Sequence, residues 1–368
     1  MQTTRSGEKT VNSSELDSKK MTREEALALP NEAKMNYLFE LQVRHAKLES
    51  IGRDLLDLIS PYNEVKIISI IGATGVGKTT LSRRLIRSLV SQQMGQSVAH
   101  RGQLPYVFIN APANGDKSIS WRAVYEMALR NASEPLVNKK IAVEENDGHV
   151  FIRPGNHKTL PALRQALEEM LKNRGVRVLA IDEAFHLLRF GNYSAVMDTL
   201  KSLADETNVK LVLLGTYDLF DLAVEYGQVA RRSEILHFER YDRDKPVDVA
   251  EYKRIIRVLQ DRWPCEEIPN FGSIAPELMK ATLGCIGLLK ALFLRSLAAQ
   301  IQNKGRWKPA FLTKAAKSMS LVERIRKEIE AGEAKLRGGT YGESIFAGEL
   351  LHTVSKKMSG NDEVADAT

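Results

Sequence analysis

Residues Gly72-Ala73-Thr74-Gly75-Val76-Gly77-Lys78-Thr79 satisfy the spacing GxxxxGK[ST] at every fixed position. The glycines let backbone N–H groups curl around a polyphosphate, Lys78 reaches its β and γ oxygens, and the Thr79 hydroxyl ligates Mg²⁺, with Thr80 next in the chain. A helix starting near Lys78 points the positive end of its dipole at the same anion, so ATP with Mg²⁺ is the expected ligand. A second group, Asp182-Glu183, follows the apolar run Val178–Ile181. There Asp182 is suited to hold the metal through water and Glu183 to orient and deprotonate the attacking water, which favours hydrolysis over binding alone. Thr216, directly after a further apolar run, is placed to meet the γ-phosphate or the lytic water with its hydroxyl. Arg231 and Arg232, in Gln228-Val229-Ala230-Arg231-Arg232, add planar, permanently charged groups suited to clamping phosphoryl charge. They need not face the site of their own chain, and would then act in trans across a subunit interface.

These groups need a scaffold that presents them together. Val65–Ile71 is a short β-branched run that stops at Gly72, as expected of a buried strand feeding a glycine turn. Helical periodicity resumes over 79–94. Tyr106–Ile109, Val176–Ile181 and Val209–Leu214 read as three further strands, with helices over 121–130, 161–172 and 194–206. Strands alternating with helices at this spacing predict a parallel α/β sheet. Between 132 and 160 the pattern changes, and Asn146-Asp147-Gly148 between two strand-like pieces predicts an inserted hairpin. Upstream, residues 22–59 carry helical spacing until Pro61. Downstream of about Tyr241 strand signals vanish, and helical patterns over 247–262, 275–302 and 309–333 predict a small all-helical domain. Residues 1–21 and 334–368 are polar or Gly/Ser/Lys-rich and read as tails.

Composition bounds the remaining possibilities. In 368 residues there are 53 Lys+Arg and 46 Asp+Glu, and 43% are hydrophobic, enough for a real core. No run of 18 uncharged apolar residues occurs and the first twenty residues lack an apolar signal region, so a soluble, non-exported protein without a membrane partner is expected. Cys265 and Cys285 lie outside any CxxC spacing, which argues against a disulfide framework or zinc cluster. Residues 251–330 hold 15 Lys+Arg against 8 Asp+Glu, the whole +7 surplus, a hint of a polyanion-facing segment. His186 has no second His or Cys at ligand spacing and reads as a packing residue.

The order GATGVGKT, VLAIDE, LVLLGT and QVARR resembles an AAA+ ATPase, and more narrowly the TniB/TnsC-type transposition regulators of prokaryotic mobile elements, over about residues 35–300. The resemblance implies an α/β AAA+ P-loop NTPase domain over 22–240, a helical lid over 241–333, and Arg232 as the arginine finger with Arg231 as its less constrained neighbour. It further implies a cytoplasmic, prokaryotic protein that forms a homo-oligomeric ring or filament on double-stranded DNA, hydrolysing ATP under DNA stimulation. Such an assembly recruits a transposase and links it to target-selection proteins. Relatives track the phosphate backbone with the region after their second strand, where this chain has Lys117 and Ser118; Arg153 and Lys158 are further candidates. Related proteins often carry a sensor arginine early in the third lid helix, where this chain offers Lys290. A replication initiator or helicase loader shares these motifs, and a signalling NTPase of the STAND type would hold nucleotide without needing DNA.

Overall fold

The computed structural model describes residues 21–86, 102–113, 120–135, 137, 143–146, 149–152, 159–187, 193–221 and 232–338. The chain forms two compact units, and neither is contiguous: the described residues of one lie within 47–240 and 318–338, and those of the other within 21–46 and 241–317.

The first unit is built on five parallel strands: β1 (Ile67–Ile71), β2 (Tyr106–Asn110), β5 (Val178–Asp182), β6 (Lys210–Gly215) and β7 (Ser233–His237), in the order β2-β5-β6-β1-β7. β1, β5 and β6 are buried along their whole length, which is why they read as near-continuous apolar runs rather than alternating ones. The sequence pattern does not reveal β7. Its residues Ser-Glu-Ile-Leu-His are all half-buried, as an edge strand requires, so it lacks the apolar run of its neighbours. Between β2 and β5 the chain adds a separate antiparallel pair, β3 (Val143–Asn146) and β4 (His149–Ile152), with Asn146 opposite His149.

The helices of this unit are α3 (Ala46–Ile59), α4 (Lys78–Thr80), which runs on into a π-helical turn (Leu81–Ile86), α5 (Trp121–Asn131), α6 (Leu160–Asn173) and α7 (Tyr193–Thr207). A last helix, α12 (Met319–Gly338), also belongs here. Its Ile329 and Glu333 are buried, and Glu333 accepts a forked pair of hydrogen bonds from Arg240 at 2.8 and 3.1 Å.

The helical unit contains α1 (Arg23–Leu27), α2 (Asn31–Glu40), α8 (Pro246–Asp261), α9 (Ala275–Ala281), α10 (Ile286–Gln302) and α11 (Ala310–Ala315). Its centre is Trp263, fully buried, whose ring meets Phe271 and Phe293 edge-on at 5.1 and 5.9 Å. The indole N–H of Trp263 donates to Gln300 Oε1 at 2.7 Å, so the one polar atom of that ring is satisfied inside the core. Cys265 and Cys285 are buried, 20 residues apart in the chain, and both lie in this unit.

The domain limits expected from the sequence, 22–240 and 241–333, are corrected at both ends. Residues 22–46 belong with the helical unit because Leu38 and Leu41 are part of its core and Arg23 donates to the carbonyls of Trp263 and Cys265 at 3.2 and 2.9 Å. The helical spacing over 309–333 divides at 316–318, and its second half joins the sheet unit and runs to Gly338, beyond the expected tail boundary. Similarly, 22–59 is three helices, interrupted at Pro30 and by the extended stretch 41–45, and 275–302 breaks at Gly284.

Candidate nucleotide site

Because the strands are parallel, the carboxyl ends of β1, β5 and β6 share one edge of the sheet: Ile71 is opposite Gly215, Ile181 opposite Leu213, and Asp182 opposite Asn110. Every loop that leaves those ends therefore starts from the same edge. Residues 72–77 leave β1 as a turn anchored by the inward-facing Ala73 and Val76, which are 1% and 2% exposed. Gly75 and Gly77 carry φ of +81° and +122°, a backbone that L side chains rarely adopt, which explains two of the three motif glycines. Gly72 N–H donates to Gly215 O at 3.3 Å and ties the loop to the end of β6.

Lys78 Nζ lies inside the curl of this loop, donating to the carbonyls of Gly72 and Ala73 at 2.7 and 2.9 Å. One residue on, Thr79 Oγ1 donates to Asp182 Oδ2 at 2.7 Å. The other carboxylate oxygen of Asp182 accepts from the Glu183 amide at 2.9 Å, and Asp182 is only 3% exposed. The structure thus brings the two expected metal-holding groups, 103 residues apart in the chain, into direct contact. A hydroxyl beside a carboxylate, both hard oxygen donors next to a phosphate loop, fits Mg²⁺, which takes few protein ligands and completes its shell from phosphate and water. Among the described residues no group of three or more His, Cys, Asp and Glu offers an alternative metal cage.

Glu183 follows at φ +52°, and its side chain remains largely exposed rather than packed. Its Oε2 stands 3.5 Å from His186 Nε2. His186, read from the sequence as a packing residue, packs its ring on Phe185 at 3.9 Å, and its Nδ1 is buried without a hydrogen-bond partner among the described residues. Thr216 sits directly after β6 and its hydroxyl donates to Asp218 Oδ2 at 3.3 Å. Beyond it Tyr217 is buried with its hydroxyl 3.4 Å from His237 Nε2, and burial holds the His237 imidazole below its usual pKa.

Arg232 lies at the other end of the sheet. Its carbonyl accepts from Lys66 N–H at 2.8 Å, just before β1 begins, whereas the glycine loop follows β1. Five strand residues separate the two ends, about 17 Å at 3.3 Å per residue. Its guanidinium is half exposed and pairs with Asp205 at 3.1 Å. The structure therefore does not bring Arg232 to the phosphate loop of its own chain. Arg231, Lys117, Ser118, Arg153 and Lys158 lie outside the described residues. In the helical unit, Lys290 Nζ donates to the carbonyls of Phe39 and Leu41 at 2.6 and 2.7 Å, holding the end of α2.

Residues 63–223 match the family model described as an AAA domain. The match takes in the glycine loop, Asp182-Glu183 and Thr216. The fold is similar to that of solved structures. The Aeropyrum pernix ORC1 protein in complex with DNA is 15% identical, with 92% of this chain and 87% of that chain covered at a TM-score of 0.52. The Aeropyrum pernix ORC2 protein in its ADPNP-ADP complexes is 13% identical, with 87% and 86% covered at a TM-score of 0.50. No curated protein sequence matches the chain. No helix among the described residues is long and apolar enough to cross a membrane.

Proposed function

We propose that this AAA+ protein is an ATP-dependent, DNA-binding regulator of DNA transposition of the TniB/TnsC type, acting in the cytoplasm of a prokaryotic cell. It assembles as a homo-oligomer on double-stranded DNA, links target-selection proteins to a transposase, and is dismantled by ATP hydrolysis that DNA stimulates. The observation that carries the reading is the position of Arg232, half exposed and a full strand length from its own glycine loop. A guanidinium placed there serves a nucleotide held by a neighbouring copy, so catalysis requires assembly. DNA as the platform rests on the sequence resemblance and on the basic segment 251–330, with Lys117 and Ser118 as its proposed phosphate contacts.

Within one subunit the loop amides and Lys78 bind and orient the triphosphate, and Thr79 with Asp182 would hold magnesium. When bound, the metal neutralises charge on the phosphate oxygens. Glu183, beside but not locked into that pair, accepts the proton of the attacking water, and Thr216 positions the water or the γ-phosphate. Arg231 stands beside the finger.

Negative-stain imaging of the protein with a DNA duplex tests this. Rings or filaments are expected with a slowly hydrolysed ATP analogue and not with ADP, and Lys78→Ala is expected to abolish them; monomers in every condition would sink the proposal. The trans role of Arg232 has its own test. Arg232→Ala protein is expected to bind ATP yet turn it over about 10³-fold more slowly. Mixing it with Lys78→Ala protein, which retains the finger but not the loop, should restore part of the turnover, because some interfaces then carry both intact halves. A mixture no faster than the sum of its parts would place Arg232 outside the reaction.

A further inference from the structure

Three neighbouring strands of the sheet open on a cation at the edge opposite the glycine loop. Lys66 immediately precedes β1, Lys210 begins β6 and Arg177 immediately precedes β5. They are adjacent because Ile67 registers with Leu211 and Val178 with Lys210. With Lys172, in the last turn of α6, they line a cavity of about 240 Å³ that also touches Thr207 and Asn208, and no carboxylate is among its described lining residues. None of the four cations has an ion pair among the described residues. The nearby Asp205 is engaged by Arg232 instead.

This arrangement is costly without an anion. Lys210 is 6% exposed, and its ammonium donates to the carbonyls of Asn63 and Val65 at 2.5 Å each. Those bonds satisfy donors but do not neutralise charge. Burial, and then the like charges of Lys66 and Arg177, lower its pKa to about 8. Lys66 Nζ is held by Asn208 Oδ1. The side chains of Arg177 and Lys172 make no hydrogen bond among the described residues, so their donors are available to a ligand.

We infer that this cavity at the amino ends of β1, β5 and β6 is a binding site for a phosphate group, separate from the nucleotide site at their carboxyl ends. A phosphate carries up to two charges and three or more acceptor oxygens, which matches four cations lining one cavity better than one carboxylate with a single charge does. The same chemistry is offered by free phosphate and by the phosphodiester of a nucleic acid.

The test is calorimetric titration of inorganic phosphate into full-length protein saturated with ADP, at constant ionic strength, so that the glycine loop is already filled. Saturable binding is expected, weakened at least tenfold in the double variant Arg177→Gln, Lys172→Gln. Those two side chains hold no structural hydrogen bond, whereas Lys210→Met also removes two bonds to backbone carbonyls and serves only as a second variant. A DNA duplex that competes with phosphate identifies a phosphodiester as the ligand, and one that does not identifies the free anion. Absence of saturable binding, or unchanged affinity in the double variant, overturns the inference. Loss of self-association with unchanged phosphate affinity overturns it too, assigning the cations to carboxylates of another copy. The readout needs neither turnover nor assembly on DNA, so its failure leaves the proposed function standing.

Discussion

Glu183→Gln protein is expected to bind ATP normally and to hydrolyse it about 10²–10⁴-fold more slowly, the range for removal of a general base. That corresponds to roughly 3–5 kcal/mol of transition-state stabilisation. The substitution is nearly isosteric, and the amide cannot accept the proton of water at neutral pH. The structure shows why binding should survive. Glu183 contributes only its backbone N–H to the Asp182 carboxylate, a bond that glutamine at 183 preserves, and the Thr79 to Asp182 contact does not involve its side chain. Its carboxylate is largely exposed, so the exchange leaves no buried group unsatisfied. Steady-state phosphate release together with equilibrium binding of a fluorescent ATP analogue separates the two effects. Under the proposed function this variant should also accumulate on DNA in the presence of ATP, because assembly continues while dismantling stops. Turnover within a few-fold of wild type would assign the base to another residue.

The site was legible in the sequence to the extent that its chemistry is local. The spacing from Gly72 to Thr79 dictates a loop whatever surrounds it, and the fully buried strands before it and before Asp182 announce themselves as apolar runs. What was not legible depends on tertiary neighbours. The edge strand β7 is half-buried throughout, so its hydrophobicity is diluted to the level of a loop. Leu38 and Leu55 repeat with the same helical spacing, yet Leu38 fills the core of the helical unit and Leu55 lies in the sheet unit. Periodicity reports that a face is covered and not what covers it. Four cations spread from Lys66 to Lys210 give no local signal at all, since strand register and the end of α6 bring them to one cavity. His186 illustrates the intermediate case, where spacing to Glu183 was visible but the 3.5 Å approach required the turn to be built.

Gly284→Ala is expected to destabilise the helical unit by about 3–5 kcal/mol, combining the strain of a left-handed residue with overlap against backbone. Gly284 links α9 to α10 at φ +73°, and a Cβ built on it would fall 1.8 Å from the Tyr241 carbonyl oxygen and 2.8 Å from its carbon. Neither side can move away cheaply. Gly284 is fixed by its N–H to Met279 O at 3.0 Å and by its own carbonyl, which accepts from Tyr241 N–H at 3.1 Å. Tyr241 is 2% exposed and its hydroxyl bonds His45 Nδ1 at 3.0 Å, so displacing its backbone disturbs a packed ring and a buried hydrogen bond together. For a unit of this size the loss corresponds to a melting temperature lower by roughly 12 °C or more. Gly305 supplies the internal control. It has nearly the same backbone, φ +79°, but nothing lies within 4 Å of a Cβ added there. Gly305→Ala should therefore show the conformational strain alone, about 1 kcal/mol. Thermal unfolding of the two variants side by side measures the difference. Equal shifts would mean that the Tyr241 segment yields without cost, whereas a deficit of 2 kcal/mol or more at Gly284 isolates the backbone overlap as the constraint that fixes glycine between α9 and α10.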